Sequence, residues 1–271
     1  MSLRKKVLVT GAYGLVGNVI YRRLTQSPQH YDVYALARRR HPSARLPREE
    51  AQDIPDDHLS VVDLSDARAV QKAVDGMDVV VHMAADPNAD ASWESILANN
   101  IIGSYHVFEA CRLASVKRLI YASSMMVFVG YQLEEPYKSL LDGHYQHLKP
   151  ADIPRLTDTS PTRPLHFYET SKVWGEGMAH MYARNYDMSC LVLRIGMVEA
   201  EEPPALPGAA FGWCSQRDIA QLAELCVDAP ESLRFAIFHG LSDNDYNLAD
   251  IQPARDLLGY QPQDGLRSLE S

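Results

Sequence analysis

Lys6-Val7-Leu8-Val9-Thr10-Gly11-Ala12-Tyr13-Gly14-Leu15-Val16-Gly17 is an apolar run that leads into glycines spaced GxxGxxG. A buried strand followed by a glycine turn that opens a helix brings backbone N–H groups and the positive helix end to one point, which suits a pyrophosphate. Gly11, Tyr13, Gly14, Leu15 and Gly17 are therefore expected to contact a dinucleotide. Glycines also serve tight turns, so this triplet gains its weight from standing at the first strand-to-helix junction.

Working outward, apolar runs continue to alternate with segments of helical period. Strands are expected at Lys6 to Thr10, Val33 to Ala37, Leu59 to Val62, Val79 to Met83, Arg118 to Ala122, Cys190 to Leu193 and Phe235 to His239. Helices are expected at Gly14 to Leu24, Ala67 to Val74, Ser92 to Ala114, Tyr168 to Tyr186, Ser215 to Val227 and Pro253 to Leu258. Such alternation marks a parallel sheet covered by helices on both faces. The fold class is α/β, a Rossmann-type doubly wound parallel sheet with a small C-terminal substrate-binding portion. The chain reads as a single domain over 1–271, with 197–271 forming that portion after a Pro-rich loop, EEPPALPG. The segment 131–165, above all Tyr131 to Arg163, breaks the alternation. It is polar, carries Tyr137, His144, Tyr145 and His147, and is expected to be a surface excursion: a decorative loop or an active-site lid.

With 271 residues, 46% of them hydrophobic and 23% charged, the chain can bury a substantial core. The net charge of −9 opposes binding to a nucleic acid backbone. No run approaches the roughly 20 apolar residues of a membrane span, and the basic start leads into glycines, not a cleavage site. Cys111, Cys190, Cys214 and Cys226 form no close pair, which fits a reducing cytoplasm. No metal site is expected.

Dinucleotide folds that prefer NAD place an acid at the end of the second strand, where it bonds the adenosine ribose. Here Ala37 stands there, followed by Arg38, Arg39 and Arg40. A guanidinium at that point pairs with a 2′-phosphate, so NADP is favoured over NAD, with Arg38 the contact; a solvated basic corner is the alternative. Asp63, past the third strand, is placed to reach the adenine amino group or to cap the next helix.

Tyr168 and Lys172 lie four residues apart on a helix and so share a face. The strand ending Tyr121-Ala122-Ser123-Ser124 offers hydroxyls to the same point. Making a tyrosine of pKa near 10 a useful base near neutrality takes a depression of about 2–3 units, about 3–4 kcal/mol. One positive charge at ~4 Å, in an effective dielectric near 20, contributes about 4 kcal/mol, so Lys172 with a cationic nicotinamide would suffice. Ser124, Tyr168 and Lys172 are the catalytic candidates. Asn100 is expected to fix a water or a backbone kink near Lys172.

GAYGLVG, the Asp63-Leu64 pair, HMAA at 82–85, NNIIGSYHVFEAC at 99–111, YASS at 121–124, YETSK at 168–172 and LRIG at 193–196 occur in the order found in the extended short-chain dehydrogenase/reductase superfamily, the NAD-dependent epimerases and dehydratases. The chain resembles that superfamily over nearly its full length. Its ending, from Trp213 to Asp218, Phe238 to Asn244 and Leu258 to Pro262, is most similar to uronate dehydrogenases and archaeal glucose-6-phosphate dehydrogenases, which oxidise a sugar at its anomeric carbon. The resemblance implies an NAD(P)-dependent oxidoreductase acting on a sugar, sugar acid or related cyclic alcohol. It adds Leu64, Ala84, Ala85, Asn100, Lys172 and Ile195 to the cofactor contacts, and implies a homodimer built on the long helices Ser92 to Ala114 and Tyr168 to Tyr186. Departures fall in the substrate pocket: Met125 and Met126 replace Asn and His, and Met197 replaces Ser. The arginine that would meet a uronate carboxylate has no counterpart at Pro207 or Gly208; Arg163, Arg217 or the excursion could supply another cation. Two other readings remain open at this point. A sugar epimerase or dehydratase would retain NAD and need a further acid/base, for which Glu169 and Glu176 are candidates. A non-catalytic NADP-binding sensor is opposed by the intact Ser124, Tyr168 and Lys172.

Overall fold

The computed structural model describes residues 4–144, 148–204 and 211–267. The elements run β1 (Lys5–Thr10), α1 (Leu15–Thr25), β2 (Tyr31–Ala37), β3 (Leu59–Val61), α2 (Ala67–Val74), β4 (Val79–His82), α3 (Trp93–Ile96), α4 (Gly103–Leu113) and β5 (Arg118–Ser124). They continue with α5 (Tyr137–Leu141), α6 (Phe167–Asn185), β6 (Ser189–Ile195), α7 (Gln216–Asp228), β7 (Phe235–Gly240) and α8 (Gln252–Leu258). The strands form one seven-stranded sheet in the order β3-β2-β1-β4-β5-β6-β7, with every pairing parallel.

Period-2 alternation divides the buried strand residues between two faces. Val7, Val9, Val33, Val81, Leu191 and Leu193 meet α1 and α7 on one side. Leu8, Leu36, Val80, Leu119, Tyr121 and Val192 meet α2, α4 and α6 on the other. The chain builds outward from β1 to β3 and then returns to β4 on the opposite side of β1. This order places a topological switch point between the carboxyl ends of β1 and β4, where Thr10 pairs in register with His82 and where open parallel sheets bind ligands.

Strands β5 and β6 run past their expected ends at Ala122 and Leu193, reaching Ser124 and Ile195, which are in register with each other. The expected helix from Ser92 to Ala114 is not α-helical throughout. Between α3 and α4, residues Leu97–Ile102 form a π turn. Asn100 occupies that turn, buried, and its side-chain amide accepts from Asp86 N at 2.8 Å and donates to Asp86 O at 3.0 Å and Ser171 Oγ at 3.1 Å. A π turn at such a position redirects a side chain without ending the helix.

The excursion differs most from its sequence reading. It is not a polar surface loop: Tyr131, Leu140, Ile153 and Leu156 are buried in a third apolar cluster with Phe128, just before it, and with Leu241, Tyr246, Leu248 and Ala249. Its two ends are joined by Gly130 N–H to Arg163 O at 2.8 Å and Arg163 N–H to Val127 O at 2.7 Å. Leu156 forms a parallel bridge with Ala249. Apolar residues scattered without a period gave no sequence signal for this packing. Tyr145 and His147 lie outside the described residues, as do Pro207 and Gly208. The segment after Gly196 is divided: α7 and β7 complete the main sheet and its cover, while 241–251 packs against the excursion.

Candidate active site

Gly11 has φ +72°, and a Cβ there would lie 2.9 Å from the Ala84 backbone, so the turn leaving β1 is pressed against the segment leaving β4. A Cβ on Gly17 would lie 2.2 Å from Gly11 O. Gly14 caps α1 with no side-chain bond, leaving the first amides of the helix facing the turn. This cradle fits a pyrophosphate, and among the described residues nothing of the chain's own fills it. Gly17→Ala is expected to destabilise the protein by about 1–3 kcal/mol and to abolish measurable dinucleotide binding. Thermal melting and NADH titration check this, and an unchanged melting temperature with unchanged affinity would refute the cradle.

From this turn a cleft of about 470 Å³ extends along the carboxyl ends of the strands. Gly11, Tyr13, Gly14, Leu15, Gly17, Arg38, Leu64, Ala84, Ala85, Ser124, Tyr168, Lys172 and Ile195 all line it. Predicted residues from widely separated parts of the sequence thus meet in one place. Asp63 does not line it; its carboxylate is held by Ser65 N at 2.9 Å and Ser65 Oγ at 2.7 Å, and the cap of α2 is Asp66, which accepts from Arg68 N and Ala69 N. Asn100 sits behind the cleft and contacts Ser171, next to Lys172, rather than Lys172 itself. The three methionines are also off the lining. Met125 is buried in the excursion cluster, Met126 is exposed and Met197 bridges Trp213.

At the catalytic end, Lys172 is buried, its ammonium donating to Ala122 O at 2.9 Å and lying 5.5 Å from the Tyr168 ring centroid. Burial lowers its pKa to about 8. Tyr168 departs from expectation: burial raises its pKa above the ordinary 10.0, an effect opposed by a hydrogen bond with Ser124 and by the charge of Arg45. The expected depression is absent in the protein alone because desolvation of the phenolate outweighs the Ser124 hydrogen bond and the charge of Arg45. The helix carrying the pair is fixed at its start by a capping box, with His166 N–H donating to Glu169 Oε2 at 2.8 Å.

The cations and acids proposed for the substrate pocket are placed elsewhere. Arg163 pairs with Glu134 at 2.8 Å and stacks on Tyr131, and Arg217 pairs with Asp264. Glu169 serves the capping box, and Glu176 lies in a buried pair with Arg194 at 2.8 Å. None of these four lines the cleft. Among the lining residues that sequence reasoning missed, with His41, Ser43, Asp86, Ser95 and Asn99, is Arg45, in the long connection between β2 and β3, which donates to Val198 O at 3.0 Å. No motif or period marks that connection. Among the described residues, no group of three or more His, Cys, Asp or Glu could hold a metal ion, and no helix is long and apolar enough to cross a membrane.

A doubly wound parallel sheet, a glycine cradle at its switch point and a Ser/Tyr/Lys group along the same cleft define a dinucleotide-binding α/β protein of the short-chain type. The chain belongs to the NAD dependent epimerase/dehydratase family, which matches residues 7–211. It is 33% identical to an NAD-dependent glucose-6-phosphate dehydrogenase of Haloferax volcanii, covering 95% of this chain and 93% of that one. It is 30% identical to an L-arabinose 1-dehydrogenase (NAD(P)(+)) of the same organism, covering 96% of each. Among solved structures, a point mutant of uronate dehydrogenase from Agrobacterium tumefaciens complexed with NAD superposes with a TM-score of 0.76 at 28% identity, covering 97% of this chain and 86% of that one. The relatives similar at 30% identity or more are thus sugar and sugar-acid dehydrogenases, whereas a GDP-mannose 3,5-epimerase of Arabidopsis thaliana is 27% identical over 70% of this chain.

Proposed function

We propose that this chain is an NAD(P)-dependent dehydrogenase that oxidises a ring hydroxyl of a sugar or sugar acid, with Tyr168 as acid/base. The observation that carries the reading is the placement of Ser124, Tyr168 and Lys172 in the cleft that begins at the glycine cradle. Gly11, Gly14 and Gly17 would hold the pyrophosphate, Lys172 the nicotinamide ribose, and Ala84, Ala85 and Ile195 the walls around the dinucleotide. Ser124 Oγ orients the substrate hydroxyl by a hydrogen bond, and the Tyr168 phenolate takes its proton. Below its pKa of about 8, Lys172, held by Ala122 O, would bring a positive charge to the phenolate side of the cleft and so favour the ionised form. When bound, the nicotinamide supplies the acceptor for the hydride that leaves the same carbon.

NADP is the favoured cofactor. Strand β2 ends at Ala37 with no acid, and Arg38 lines the cleft, exposed, with a long 3.4 Å bond to Asn99. Arg40 is already paired with Asp56. Titration calorimetry of NADPH and NADH against wild type and Arg38→Ala tests the assignment. NADPH preference is expected, with a loss of about tenfold or more on removing the charge-assisted bonds, whereas NADH preference unaffected by the variant would overturn it. The preferred dinucleotide then serves a screen of sugars and sugar acids.

A homodimer through α4 and α6 is supported by apolar side chains left exposed on them, Tyr105, Leu113 and Phe167, and at their ends, Ile102 before α4 and Tyr186 after α6. A reducing cytoplasm is supported by four free, buried cysteines.

A further inference from the structure

Arg45 stands out among the arginines of the cleft by how firmly the loop that carries it is set. Two residues before it, Ser43 N–H donates to Tyr13 O at 2.8 Å, which lays the β2–β3 connection directly over the glycine turn. One residue after it, Leu46 is buried in the main core, and its N–H donates to Ser43 O at 3.1 Å. From this anchored loop the side chain crosses to the opposite rim, where it meets Val198 O just beyond the end of β6. A guanidinium has five N–H donors, and among the described residues Val198 O is its single acceptor, with no carboxylate at ion-pair distance. Its charge also lowers the pKa of the Tyr168 phenol in the same cleft.

We propose that Arg45 is a strap over the cofactor cleft whose guanidinium binds the pyrophosphate of the dinucleotide from above, opposite the glycine cradle. The inference rests on the dinucleotide reading of the cleft and adds a residue to it. The pyrophosphate is the anion favoured by position, because the loop that carries Arg45 is tied to Tyr13, inside the turn whose amides and helix end already attract a phosphate. Two arms of positive potential then face one another across the cleft. A planar fork suits a phosphate better than a single ammonium does, so lysine at this position should replace only part of the effect.

The test is calorimetric titration of wild type, Arg45→Ala and Arg45→Lys with NADH, ADP-ribose and AMP, at low and high salt, with thermal melting to confirm folding. Arg45→Ala is expected to weaken NADH and ADP-ribose by about tenfold to a hundredfold, to flatten their salt dependence, and to leave AMP, which lacks the pyrophosphate, unchanged. Arg45→Lys should fall between. Equal NADH affinity in wild type and Arg45→Ala would overturn the strap while leaving the cofactor reading intact. So would a loss confined to the KM of acidic or phosphorylated sugars relative to neutral ones, since Arg45 would then serve the substrate. Failure of wild type to bind any of the three probes, or NADPH, would overturn both.

Discussion

Tyr168→Phe is expected to lower the rate of sugar oxidation by about 10²–10⁴-fold, the usual contribution of a positioned acid/base, while NADH affinity stays within about twofold of wild type. The ring keeps its place in that variant because burial and the capped helix hold it, and only the hydroxyl is lost. The pH dependence of wild type gives a second reading of the same group. The base form of a phenol is its anion, so oxidation should rise with pH as Tyr168 ionises and level off above its pKa. Burial alone pushes that pKa above 10.0. The hydrogen bond with Ser124 and the charge of Arg45 oppose that rise, while Lys172, its own pKa lowered by burial to about 8, carries its charge below that pH and sheds it above. In the working complex a limb below 10 is expected, and it should vanish in Tyr168→Phe. Steady-state rates across pH with both proteins check this. A Phe variant retaining more than a tenth of the wild-type rate would remove Tyr168 from the chemistry.

The glycine turn and the YxxxK pair were legible because each is a local pattern whose meaning depends only on its neighbours: a strand before, a helix after. The sheet was legible for a similar reason, since strands buried on both faces read as unbroken apolar runs. What stayed hidden depends on contacts distant in sequence. The excursion looked polar because its buried residues, among them Leu140, Ile153 and Leu156, find their partners at 241–251. Asn100 was marked by its place in the long helix, but its partners, Asp86 and Ser171, come from a loop and a helix that only the fold brings together. The methionines after Ser124 resemble pocket residues by alignment, yet the 3₁₀ turn that follows β5 rotates Met125 into the core. Arg45 lies in a connection without periodicity, and only the Ser43–Tyr13 and Arg45–Val198 bonds give it a role.

Glu176→Ala is expected to cost about 3–5 kcal/mol of stability, the range for breaking a buried ion pair from one side. Glu176 and Arg194 have side-chain exposures of 8% and 2%, and the guanidinium meets the carboxylate through two bonds, Nε at 2.9 Å and Nη2 at 2.8 Å. Ser123 Oγ donates to the same carboxylate at 2.6 Å. Removing Glu176 leaves a guanidinium among Phe128 and its neighbours with no counter-charge, and its Nη1 already lacks a partner among the described residues. Replacing both members, Glu176→Ala with Arg194→Leu, should recover part of the loss because the uncompensated charge goes with Arg194. Urea unfolding of the single and double variants separates these terms; a double variant no more stable than the single would show that the pair is not what holds this region. The consequence reaches the site through register, since Ser123 is paired with Arg194 and Ser124 with Ile195 on the same two strands. If the buried pair fixes the approach of β5 to β6 at this level, the double variant should fold yet turn over more slowly than wild type, with Ser124 and Ile195 less firmly set against each other across the cleft.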